Sequence, residues 1–323
     1  MQVLVTGGAG FIGTHLAERL IENGNVVRIL DDLSGGALVG ISRLLRTGAA
    51  EFIRGDVRDI GRVLEATKGC ETVYHLAAQS SVPRSTENPA LDLEVNAVGT
   101  NNVLMAAKEC GAKVVFASSS VVYGIPRRTP TPETEPLVPH SFYGASKAAA
   151  EDYCRLYSEL FGVPTVILRL FNIYGPGTNK GLIFDLYRKL LRDPRRLEIL
   201  GTGEQKKDYL YIDDAIEAFM IASERSKFRG DAYNIGLGES YTVLQIAEMI
   251  FDALGLEGVE VKPRGGTSWP GDVELTEPDV SKAEIELGWK AKVGIRDGIR
   301  RTLEAFEKEL GSLPYKRPPE LTK

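Results

Sequence analysis

From the N-terminus to about Leu170, short apolar runs alternate with longer stretches whose apolar residues recur at helical spacing. The runs fall at residues 2–6, 26–30, 51–53, 72–76, 113–117 and 165–170. They are rich in Val and Ile and mostly do not alternate with polar residues. That pattern belongs to parallel strands buried on both faces. Between them, residues 11–23, 89–110 and 143–161 carry the helical period. Gly24, Gly111 and Gly162 follow these three stretches at the helix-closing position. Strand, helix, strand repeated in this way predicts right-handed βαβ units and an α/β fold with a doubly wound parallel sheet.

The rhythm changes near residue 171. Gly175, Pro176, Gly177 and Gly181 mark an irregular stretch. Beyond it the pattern predicts helices at 182–191, 213–226, 243–254 and 295–308, and short strands at 197–200, 209–212 and 232–235. The expected organisation is a nucleotide-binding domain over 1–170, to which the strand at 232–235 returns. A smaller mixed α/β substrate-binding region then covers 171–311. The last stretch, 312–323, holds three prolines and reads as an extended tail. No internal repeat is visible.

Composition narrows the class. A chain of 323 residues is long enough for about two domains. Lysine plus arginine is 39 against 44 acids, a net charge of −5, which argues against nucleic acid or an anionic membrane as partner. Three cysteines without a CxxC and three histidines without HExxH spacing argue against a disulfide scaffold or a metal site and point to a reducing cytoplasm. No apolar run approaches the length of a membrane span, and the chain opens on a strand rather than a signal segment. A soluble enzyme or binding protein is expected.

The first strand runs into Gly7-Gly8-Ala9-Gly10-Phe11-Ile12-Gly13. Strand, glycine turn and helix start form a Rossmann-type dinucleotide loop. Gly7 allows the tight turn, Gly10 the approach of a pyrophosphate, and Gly13 the packing of helix on strand. The helix N-terminus favours the phosphates. Asp31 ends the second strand, where a dinucleotide-binding unit carries its ribose-binding acid. An acid there accepts the ribose hydroxyls and repels a 2′-phosphate, favouring NAD over NADP; alternatively Asp31 and Asp32 cap the loop. Asp56 either holds the adenine amino group or caps the helix starting near Asp59.

Tyr143 and Lys147 stand at i and i+4, one turn apart on one helix face. A free tyrosine, with a pKa near 10, is too weak an acid to supply a base at neutral pH. A neighbouring ammonium, a nicotinamide cation and a helix N-terminus each favour its phenolate. Upstream of this pair, Ser118-Ser119-Ser120 closes the fifth strand.

Together these motifs resemble the extended short-chain dehydrogenase/reductases of the nucleotide-sugar epimerase/dehydratase family. The likeness rests on the TGGAGFIG loop, Asp56-Val57, His75-Leu76-Ala77-Ala78, Asn96, Ser118 to Gly124, Tyr143 to Lys147, Arg169 to Pro176, Gln205 to Asp214 and Trp269 to Val273. It implies NAD held by Gly7, Gly10, Phe11, Ile12, Gly13, Asp31, Asp56, Val57, Leu76, Ala77, Ala78, Asn96, Tyr143 and Lys147. It implies Tyr143 as base, Ser119 on the sugar C4 oxygen and Lys147 lowering the tyrosine pKa. For a UDP-sugar it implies contacts from Asn172 and Lys207 to the diphosphate, Leu200 to the uracil and Asp272 to the ribose. Arg84 either adds charge near the sugar or is solvated. The long helices at 89–110 and 143–161 imply a homodimer through a helical bundle.

The family's dehydratases follow the catalytic Ser or Thr with Asp-Glu, and its decarboxylases place a glutamate at the second of those positions. Ser120 and Val121 stand there instead. The resemblance therefore implies C4 epimerisation of a UDP-sugar of the UDP-galactose/UDP-glucose type through a 4-keto intermediate. A dehydratase or 4-ketoreductase of the same family, or a nucleotide-sensing protein without activity, is the alternative. Lys207 and Trp269 replace arginines common in the family; Lys207 keeps the charge without the bidentate fork.

Overall fold

The computed structural model describes residues 1–266 and 273–313. Among them, seven strands form one parallel sheet: β1 (Gln2–Thr6), β2 (Val26–Asp31), β3 (Ala50–Arg54), β4 (Thr72–His75), β5 (Lys113–Ser119), β6 (Thr165–Leu170) and β7 (Arg229–Ile235). Their order is β3-β2-β1-β4-β5-β6-β7. The winding reverses between β1 and β4, where an open α/β sheet leaves a ligand crevice at the carboxyl ends of its strands.

Both faces of the sheet are apolar because both are covered. Val3, Val5, Val27 and Ile29 pack to one side, with α1 (Phe11–Glu22). Leu4, Leu30, Val73, Val114 and Phe116 pack to the other. The connecting helices are α2 (Leu38–Arg46), α3 (Ile60–Thr67), α4 (Val82–Glu87), α5 (Pro89–Leu93), α6 (Gly99–Cys110) and α7 (Phe142–Phe161). The helix expected over 89–110 is not uniform. A π turn, Glu94–Val98, separates α5 from α6 and sets Asn96 into the interior.

The later helices are α8 (Leu182–Arg192), α9 (Ile212–Arg225), α10 (Val243–Leu254) and α11 (Ile295–Leu310). Helices that follow residue 170 share a core with the segment before it. Ala215, Ile216 and Phe219 of α9 join Leu16 and Ala17 of α1 and Val166 and Leu168 of β6 in one continuous core. β7 completes the sheet beside β6. The strand expected at 209–212 is instead two short pieces with α9 beginning at Ile212. Lys206–Asp208 pairs with Ser240–Thr242 and Leu275–Thr276, while Leu210–Tyr211 pairs with Ile173–Tyr174. Asp272, Trp269 and the tail from residue 314 lie outside the described residues. Among those described, no helix is long and apolar enough to cross a membrane, and no cluster of metal-ligating side chains occurs.

Candidate active site

The loop after β1 is built for close approach. Gly7 has φ +68°, and a Cβ on it would stand 2.7 Å from the Ala77 nitrogen in the loop after β4. Gly10 caps α1 with no side chain on the helix's first amides. Phe11 and Ile12 of that first turn line the adjoining cavity, and Gly13 follows them. This cradle fits a dinucleotide pyrophosphate. Asp31 is buried and accepts hydrogen bonds from Ala9 N at 3.0 Å and Leu33 N at 2.8 Å. It therefore braces the glycine loop, with carboxylate lone pairs left for ribose hydroxyls. Burial pushes its pKa up against these two bonds. Asp32 is turned outward and caps Ser34.

Asp56 does not cap α3: Asp59 does, accepting from Gly61 N and Arg62 N. Asp56 instead pairs with Arg58 at 2.6 Å, which holds its carboxyl below the usual range. It lines an open groove with Glu94 and Val98, next to Val57 in the chain. Leu76, Ala77 and Ala78 follow β4 beside the glycine loop. Asn96 is buried and fully engaged: it accepts from Gln79 N, and its amide nitrogen shares its two protons among Gln79 O, Asp92 Oδ1 and Ser146 Oγ. It thereby fastens the loop after β4 to the helix that carries Tyr143 and Lys147. His75 is bonded on both ring nitrogens, to Thr6 Oγ1 at 2.7 Å and Thr100 Oγ1 at 2.9 Å. Thr100 gives its own proton to Asn96 O, so Nε2 carries the ring proton and the imidazole is neutral. Burial holds its pKa down to about 3.

Ser119 ends β5 and caps the short turn Ser120–Tyr123. Ser141 caps α7 by accepting from Gly144 N. A Cβ on Gly144 would lie 2.7 Å from Val121 O, so glycine lets α7 close on that turn. Tyr143 thus comes up to Ser119, and the two line one cavity. Lys147 lies behind, buried, donating to Ala117 O at 2.6 Å with its ammonium 4.4 Å from the Phe116 ring centre. Burial pushes Tyr143 up to about 12; Ser119 opposes this and Asp92 adds to it. Burial also brings Lys147 down to about 8. Both groups sit inside the sheet–helix layer, where desolvation disfavours the charged form of each.

Ser119, Ser120, Val121 and Tyr143 open into a cavity of about 540 Å³. Asn172, Leu200 and Lys207 line it too. Asn172 donates to Asp208 O, and Lys207 donates to Val273 O. Among the described lining residues Asp185 is the only carboxylate, against Lys180, Lys189 and Lys207. A chain of net negative charge thus presents a cationic cleft to its ligand.

A family model described as GDP-mannose 4,6 dehydratase matches residues 4–302. The chain belongs to the extended short-chain dehydrogenase/reductase family of nucleotide-sugar epimerases and dehydratases. It is 34% identical over 312 residues to the UDP-glucose 4-epimerase of Mycolicibacterium smegmatis, covering 95% of this chain and 98% of that one. It is 30% identical over 316 residues to UDP-glucuronic acid decarboxylase 1 of Xenopus tropicalis, covering 96% and 73%. The crystal structure of the dTDP-glucose 4,6-dehydratase DesIV of Streptomyces venezuelae, with NAD bound, superposes with TM-score 0.89 at 30% identity, covering 96% and 98%.

As an epimerase/dehydratase family enzyme, the chain places its expected site residues unevenly. Phe11, Ile12, Ser119, Tyr143, Asn172, Leu200 and Lys207 converge on the cavity. Arg84 does not line it; Lys180, which no sequence motif marks, does. His140, Asp185 and Lys189 line it without a motif of their own as well. The signal for Lys180 alone was the glycine-rich stretch 175–181, which marks a segment shaped by something other than sheet packing.

Behind Ser119, the buried carboxylate of Glu151 on α7 is held by Arg169 of β6 at 2.6 Å and by Ser118 of β5. Arg169 also donates to Tyr123 Oη at 2.9 Å, and Tyr123 donates to Asn234 of β7. This network ties α7 to three strands at the level of the serine.

Proposed function

We propose that the enzyme interconverts the C4 epimers of a UDP-sugar of the UDP-galactose/UDP-glucose type. The observation carrying this reading is that the Ser119 and Tyr143 hydroxyls line one cationic cavity beside Ser120 and Val121. The pair serves a proton on oxygen, whereas the two neighbours carry no group able to move a proton on carbon. NAD, when bound in the glycine cradle, supplies the hydride acceptor and donor at C4. Tyr143 takes the C4 hydroxyl proton, with Ser119 holding that oxygen. The 4-keto sugar then turns over in the cavity, and Tyr143 returns the proton as hydride returns to the other face. Lys147 has two N–H donors beyond its bond to Ala117 O and holds the nicotinamide ribose. Asn172 and Lys207 take the diphosphate. Elimination of water or loss of carbon dioxide fits less well, because Val121 stands where those reactions need a carboxylate.

Exposed Leu93, Val98 and Met105 on one helical stretch, and Tyr153, Leu156, Leu160 and Phe161 on α7, support a homodimer through these helices. Three unpaired cysteines support a reducing cytoplasm.

The test is incubation with UDP-sugars in heavy water, followed by NMR. A C4-epimer pair without carbon-bound solvent deuterium is expected, because hydride on a dihydronicotinamide does not exchange with water. Deuterium at C5 or C6 would overturn the reading in favour of a dehydratase.

A further inference from the structure

One buried carboxylate beside the reacting groups plays no part in the proton and hydride transfers. Asp92, on α5, is 1% exposed. Its Oδ1 accepts from Gln79 Nε2 at 3.0 Å and from Asn96 Nδ2 at 3.1 Å. Its Oδ2 is enclosed and has no hydrogen-bond partner. A carboxylate desolvated in this way is costly unless an opposite charge stands near it. The same Asn96 nitrogen lies 3.0 Å from Ser146 Oγ, and Ser146 precedes Lys147. Asp92 therefore stands against the turn of α7 that carries Lys147, itself 2% exposed.

The surrounding charges single these two out. Burial lowers the Lys147 pKa, and Cys154, Glu151 and Asp92 oppose it. Cys154 is buried, which pushes its thiol up and leaves it neutral. Glu151 is committed to Arg169. Burial likewise pushes Asp92 up, and the Lys147 charge is among the influences opposing that. Elsewhere around Asp92, Glu94 of the π turn pairs with Arg58, and Arg84 and Glu87 of α4 are exposed. Tyr143 and His75 face the pair as neutral groups. No ion-pair contact joins Asp92 to Lys147. The attraction acts across a dry layer, where little water weakens it.

We propose that Asp92 is a positioning residue whose carboxylate is the counter-charge that keeps the buried Lys147 protonated. Its effect on turnover rests on the C4-epimerase reading; its effect on Lys147 does not.

NMR titration of the NAD-loaded enzyme, labelled at lysine Cε, tests this, with Lys147→Met assigning the resonance. Asp92→Asn keeps an acceptor for Gln79 and Asn96 and removes the charge. The Lys147 midpoint should fall by at least about one pH unit, the low end for losing a nearby opposite charge. Asp92→Ser, which gives up the contacts as well, should lower it about as far. The alkaline decline of UDP-sugar turnover should move down in pH by the same amount in Asp92→Asn. An unmoved Lys147 midpoint in Asp92→Asn would overturn the proposal, and so would a shift confined to Asp92→Ser, which would trace to lost contacts. An equal fall in Cys154→Ala would also overturn it, by making the thiolate the counter-charge. A lowered midpoint in an enzyme that forms no C4 epimer from any UDP-sugar would uphold the counter-charge and refute the epimerase reading instead.

Discussion

The redox state of the nicotinamide, more than Lys147, should decide when Tyr143 is a base. Burial holds the phenol at about 12. At pH 8 only about one molecule in 10⁴ then carries the phenolate. An opposite charge within 4–6 Å lowers an acid by about one to three units. Oxidised NAD beside the ring would bring Tyr143 to about 9–11, raising the phenolate population at pH 8 to between roughly 10⁻³ and 10⁻¹. The neutral dihydronicotinamide lacks that charge, so Tyr143 would keep its proton beside it. The perturbation is the cofactor's redox state, compared in the unaltered enzyme and in Tyr143→Phe. Tyrosinate absorbance is titrated in all four samples, and subtracting the variant isolates Tyr143 from the other tyrosines. With NAD, one extra tyrosinate should appear at a midpoint at least about one unit lower than with NADH. Identical midpoints would refute the argument and return the role to Lys147. Tyr143→Phe should also lower turnover by at least ~10²-fold with NAD still bound.

Asp31→Ala should weaken NAD binding and narrow its advantage over NADP, measured as two dissociation constants. It should also lower stability by about 1–3 kcal/mol in urea unfolding, because the Ala9 and Leu33 amides lose their acceptor. Glu151→Gln leaves the Arg169 guanidinium buried without its counter-charge and should destabilise by about 3–5 kcal/mol. By contrast, Arg300→Ala at the exposed Asp297–Glu304 pairs should shift the urea midpoint hardly at all. His75 stays neutral in the folded protein down to about pH 3, whereas the unfolded chain takes up that proton near pH 6.5. Its contribution to stability should therefore fall as pH drops through that window, by up to about 1.4 kcal/mol per pH unit. His75→Gln should lack this component when the two proteins are unfolded at several pH values; parallel pH profiles would refute the assignment.

The sheet strands, the glycine cradle and the Tyr143–Lys147 pair were legible because each is local. A short apolar run, a strand–turn–helix and an i, i+4 spacing are set by neighbours along the chain. Sequence alone therefore determined the parallel sheet, the family and which side chains share a face of one helix. It could not place Lys180 in the cleft and Arg84 outside it, because the Lys180–Ser80 contact joins positions 100 residues apart. Nor could it place α9 against α1, since an amphipathic helix shows that it has a buried face but not which surface covers it. The π turn that sets Asn96 inside, and the pKa of Tyr143, belong to the same class. Both depend on desolvation and hydrogen bonds contributed by distant segments. Local spacing specifies which groups can meet on one element; only tertiary packing decides how much water is left around them, and with it their charge.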